Sequence, residues 1–80
     1  MSFYTKHISE LLKRAGADTT PENKELLDRA VRKTLDMERA DAPEVWEKVK
    51  EIMFSGRDEK RKRKFEDSVV KLMVKYLITG

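Results

Sequence analysis

The chain has 80 residues, no cysteine, and 18 Lys plus Arg against 15 Asp plus Glu, for a formal net charge of +3. That length is one domain, residues 1–80, at the small end of what folds alone, and the absent cysteine excludes a disulfide framework, a thiolate metal site and a Cys nucleophile. No apolar run is long enough to cross a bilayer, and Met1-Ser2-Phe3-Tyr4-Thr5-Lys6 lacks a signal peptide's hydrophobic region, so a soluble cytoplasmic protein without a membrane partner is expected.

Helical periodicity runs through the whole chain. In the first segment Tyr4, Ile8, Leu11, Leu12 and Ala15 fall on one stripe, and Gly16 follows the basic pair Lys13-Arg14 where a left-handed cap belongs. This predicts a helix at about 3–15. Asp18-Thr19-Thr20-Pro21-Glu22 then reads as a helix start, with Thr19 as cap, Pro21 in the first turn and Glu22 completing a capping box. Leu26, Leu27, Ala30, Val31, Thr34 and Leu35 mark the buried face of a second helix at about 20–40. Glu25–Arg29, Asp28–Arg32 and Arg32–Asp36 are spaced to pair on its solvated side.

Asp41-Ala42-Pro43-Glu44 repeats the start device, with Asp41 as cap. Val45, Trp46, Val49, Ile52 and Met53 form the stripe of a third helix at 42–54, in which Trp46 reads as a core anchor, and Ser55-Gly56 stops it. A fourth helix at 58–78 carries Phe65, Val69, Val70, Leu72, Met73, Val74, Tyr76, Leu77 and Ile78 in its later turns. On a wheel its apolar positions cover about 240°, against the ~100° that a surface helix needs. Only Lys64, Ser68, Lys71 and Lys75 make a polar strip. Such a helix is either enclosed by the other three or shared with a second chain. The whole reads as an all-α, compact four-helix domain with the C-terminal helix most buried.

Catalytic signals are few. His7 is the single histidine, so no His pair for zinc and no Ser-His-Asp set can be assembled. His7 and Glu10 lie three apart, half of a carboxylate-bridged di-metal motif, but the positions facing them inward are aliphatic. The glycines at 16, 56 and 80 fit no phosphate loop or dinucleotide fingerprint. No catalytic residue, metal site or cofactor is assigned, and a non-enzymatic protein is expected.

The unusual feature is Lys60-Arg61-Lys62-Arg63-Lys64. Runs of this kind read as polyanion contacts. Residues 57–67 hold six basic and four acidic groups, so Asp58-Glu59 and Glu66-Asp67 read as local neutralisation of the run. Against a purely structural role, the helix macrodipole disfavours cations in a first turn by about 0.3–1 kcal/mol each. Five consecutive residues also circle a helix, so this turn is expected to project past the packed body. Two functional expectations follow. In the first, Arg57, Lys60, Arg61, Lys62, Arg63 and Lys64 contact nucleic-acid phosphates without reading sequence. In the second, Phe65, Val70, Val74, Leu77 and Ile78 form a homodimer or other protein interface. Phe3 and Phe54, off the main stripes, are expected to be exposed.

The stretch Ile8-Ser9-Glu10-Leu11-Leu12-Lys13-Arg14-Ala15-Gly16-Ala17, with Asp18 to Asn23 after it, resembles the first helix and loop of archaeal histones. The chain departs from that family at Asp41-Ala42-Pro43, which interrupts what would be the long central helix, and no residue role is carried over from it.

Overall fold

The computed structural model describes residues 3–79, with the side chains of residues 4–78. A 3-10 helix, Phe3–Ile8, leads into four α-helices: α1 Glu10–Arg14, α2 Pro21–Leu35, α3 Ala42–Met53 and α4 Glu59–Thr79. No strand occurs among the described residues. The expected first helix is therefore two pieces that meet at Ser9. Thr5 and Ile8 are both buried and three apart, and a 3-10 turn eclipses positions at that spacing, so tighter winding puts both on the core side.

The helix ends follow local chemistry, with two differences from expectation. The cap of α2 is Thr20, whose hydroxyl accepts from the Asn23 N–H at 3.2 Å, and not Thr19. Pro21 occupies the first helical position and holds its predecessor extended, which places the cap one residue before it. Secondly, α2 stops at Leu35, short of residue 40. Asp36 turns left-handed (φ 57°), its N–H bonds the Lys33 carbonyl at 3.2 Å, and the Met37 N–H reaches the Arg32 carbonyl at 2.9 Å. This is a Schellman cap. The end of α1 is built the same way on Gly16 (φ 78°), with Gly16 bonded to Lys13 at 3.0 Å and Ala17 to Leu12 at 2.9 Å. Asp41 does precede α3, but its side chain makes no capping hydrogen bond.

One core collects a row from each element. Tyr4, Ile8, Leu11 and Leu12 come from the N-terminal pieces; Leu27, Ala30 and Val31 from α2; Val45, Val49 and Ile52 from α3. Phe65, Val69 and Met73 of α4 complete it, four apart and so on one line. α4 lies mainly along α2 and also touches α1 and α3. Its burial belongs to the middle turns. Val70, Leu72 and Tyr76 are half-buried, while Val74, Leu77 and Ile78 are exposed. The apolar arc of this helix is thus wider than the surface the rest of the chain covers.

A polar chain crosses the fold at its edge. The Tyr4 hydroxyl donates to Asp28, whose two carboxylate oxygens also accept Arg32 Nε at 2.9 and 3.0 Å. Arg32 Nη1 continues to the Ala40 carbonyl. The expected surface pair Asp28–Arg32 is therefore half-buried, with side chains 23% and 18% exposed, and it ties the 3-10 helix, α2 and the connection to α3 together. Burial works to lower the Arg32 pKa, but the hydrogen bond and charge of Asp28, helped by Tyr4, more than offset it, and the guanidinium ends above its ordinary value.

Candidate nucleic-acid interface

The basic segment begins at the turn after α3. Gly56 (φ 69°) reverses the chain, and the Asp58 carboxylate accepts the Arg61 N–H at 3.0 Å, capping α4. That cap places five cations in the first turns of the helix. Arg57, Lys60, Arg61, Arg63 and Lys64 are exposed, and Lys62 is half-buried. The turn does not project as a free arm. Arg61 approaches Glu51 of α3 at 3.8 Å, and Lys62 lies in a small cleft of about 250 Å³ with His7, Arg14, Met53, Phe54 and Glu66. The position facing the body is filled by a half-buried lysine, a side chain whose apolar stem can pack while its charge stays solvated.

The acids at 66 and 67 pair with α1 and not with the run. Arg14 Nη1 takes Glu66 at 3.3 Å and Nη2 takes Asp67 at 2.9 Å, so one guanidinium from α1 engages both. Asp58 is engaged by the backbone. As a result Arg57, Lys60, Lys62, Arg63 and Lys64 form no ion pair with any described residue. Sequence reasoning missed Arg14 because its partners lie 52 and 53 positions away, and no local pattern announces such a pairing.

The outer face of α4 extends this charge. Lys60, Lys64, Lys71 and Lys75 are all exposed and fall within an arc of about 60°, over ~22 Å of helix. Beside that row lies the second candidate set. Phe65 is 5% exposed and belongs to the core of this chain, so it is withdrawn from any interface. Val70 is half-buried against the same core. Val74 and Leu77, each 38% exposed, and Ile78, 78% exposed, remain as an apolar patch on the last turns.

On the opposite flank of the basic segment stands an aromatic group. The His7 ring stacks on Trp46 at 5.1 Å between centroids, Tyr4 lies beneath at 6.2 Å, and Phe54 meets Trp46 edge-on at 5.9 Å. Lys50 sits over the indole at 5.6 Å. Trp46 is half-buried, whereas His7 is exposed and so, as expected, is Phe54. The side chain of Phe3 lies outside the described part. A cleft of about 830 Å³ opens along α2, where Glu25, Arg29, Lys33, Glu38 and Tyr76 surround the Asp28–Arg32 pair; acids and bases alternate there, and no set of like groups converges.

Among the described residues no group of three His, Cys, Asp or Glu could hold a metal ion, and no helix is long and apolar enough to cross a membrane. Compared with family models, curated proteins and solved structures, the chain matches none.

Proposed function

We propose that this chain is a small non-enzymatic binding protein that contacts nucleic-acid phosphates, without sequence readout, through Arg57, Lys60, Arg61, Lys62, Arg63 and Lys64. The observation that supports this most is the engagement of Glu66 and Asp67 by Arg14 and of Asp58 by the helix start, with Arg57, Lys60, Lys62, Arg63 and Lys64 forming no ion pair among the described residues. Lys71, exposed on the same face of α4, offers a further contact.

Binding to a short duplex should weaken linearly in log affinity against log salt, by about 0.9 per phosphate neutralised. Replacing Lys60, Arg61, Lys62, Arg63 and Lys64 with Gln should abolish binding and leave the far-UV circular dichroism unchanged. Binding that persists in that variant, or no binding by the parent, refutes the proposal.

A second reading is favoured by the exposure of Val74, Leu77 and Ile78: a homodimer or other protein interface that includes Val70. Sedimentation at micromolar concentration tests it, with Ile78→Asp as the dissociating variant. A monomer at every concentration rules out self-association.

A further inference from the structure

We propose that Phe54 and His7 form a base-stacking platform, so that the nucleic acid taken by the basic segment is single-stranded. The inference rests on the phosphate-contact reading above and adds the substrate class to it.

Three observations carry it. Phe54 is 57% exposed, the one exposed Phe, Tyr or Trp side chain among the described residues, yet it is held in place. Its N–H closes α3 on the Lys50 carbonyl at 2.9 Å, and its ring abuts Trp46. Secondly, His7 is exposed while its ring stacks on Trp46. Both rings thus rest on the same indole, His7 at 18° to it and Phe54 at 67°, so each offers a base its own face, and a ring already packed in place loses little entropy when a base stacks on it. Thirdly, the platform adjoins the cations. Phe54, His7 and Lys62 line the same small cleft, and Arg57 follows Phe54 by three residues.

Of the carboxylates on this flank, Glu47 is paired with Lys50 at 2.8 Å and Glu51 with Lys48 at 3.7 Å; Glu10, which lines the cleft, and Glu44 form no ion pair among the described residues and set a charge that the neighbouring cations must outweigh. In a duplex the base faces are hidden in the stack, so exposed rings beside a phosphate track contribute nothing. In a single strand every unpaired base offers a π-face, and stacking is worth about 5- to 150-fold in affinity per base. Exposed rings at this position find a use with unpaired bases.

The test compares an oligothymidylate of about 15 nucleotides with a duplex of equal length, by anisotropy at fixed salt. Trp46, the single tryptophan, reports the site directly. The single strand should bind more tightly than the duplex and quench Trp46. Phe54→Leu, which keeps bulk but loses the π-face, should weaken the single strand at least about five-fold and leave the duplex unchanged. Phe54→Tyr should bind as the parent does, which separates lost stacking from lost folding. Equal affinity for both probes, with no quenching and no effect of Phe54→Leu, overturns the platform and leaves the phosphate contacts standing. Failure to bind either probe overturns both.

Discussion

The chain of polar groups from Tyr4 to Ala40 makes a quantitative claim about stability. Tyr4→Phe removes one hydroxyl and leaves a ring that is 0% exposed and fully packed. A hydrogen bond to a charged acceptor contributes about 1.5–3 kcal/mol. Asp28 is 23% exposed, so water replaces part of the lost bond, and the expected loss is about 1–2 kcal/mol. Asp28→Ala should cost more, about 2–4 kcal/mol, because it removes the Tyr4 hydrogen bond and both carboxylate contacts of a half-buried guanidinium at once. For a domain of this length each kcal/mol moves Tm by about 4–8 °C, so the two variants should melt roughly 5–15 and 10–30 °C below the parent. Urea unfolding of the two single variants and the double variant closes a double-mutant cycle. In the Asp28→Ala background Tyr4→Phe should cost about 1 kcal/mol less than in the parent. Strict additivity, or a Tyr4→Phe variant within about 0.5 kcal/mol of the parent, refutes the idea that this network latches the N-terminal helix to α2.

Two further perturbations follow from the same geometry. Asp36 is a non-glycine residue at φ 57°, so Asp36→Gly should relieve backbone strain and raise stability by about 0.5–1 kcal/mol, read as a higher urea midpoint with unchanged slope; a lower midpoint would show that the Asp side chain supports the cap. Arg14→Ala releases Glu66 and Asp67 next to Lys62 and Arg63, where each acid lies one helical turn from a cation, so nucleic-acid affinity should fall. Folding stability should change by less than about 1 kcal/mol, since Arg14 and Asp67 are well exposed. Unchanged affinity in Arg14→Ala would mean that the clamp has no bearing on the basic run.

Much of the architecture is legible in the sequence because its punctuation is strong. Pro21 and Pro43 mark two starts, Gly16 and Gly56 mark two ends, and the apolar stripes between them belong to helices. Errors arise where two local signals compete. Thr19 and Thr20 both offer a hydroxyl, and only the extended backbone that Pro21 imposes selects the second. Leu35-Asp36-Met37 carries no glycine, and Met37 and Ala40 keep the apolar period, so the left-handed turn at Asp36 leaves no trace in composition. The same division holds at the candidate interface. Exposure of the cations and of Phe54 follows from their positions on a helix or at its end. Removal of Glu66 and Asp67 by Arg14 is tertiary, and a window of neighbouring residues does not contain it. Phe65 shows the converse, since a wide apolar arc identifies a helix with surplus surface but does not tell which edge the chain itself covers.

The position of α4 after the other elements has a consequence for biosynthesis. Phe65, Val69 and Met73 close a core whose other walls are made earlier, so a ribosome that has released residues up to α3 presents Leu27, Val31, Val45 and Val49 without their lid. Vectorial synthesis does not complete this core piecewise: its closure waits until α4 clears the exit tunnel. A premature stop anywhere before Phe65 would then yield a fragment for proteases rather than a smaller working unit.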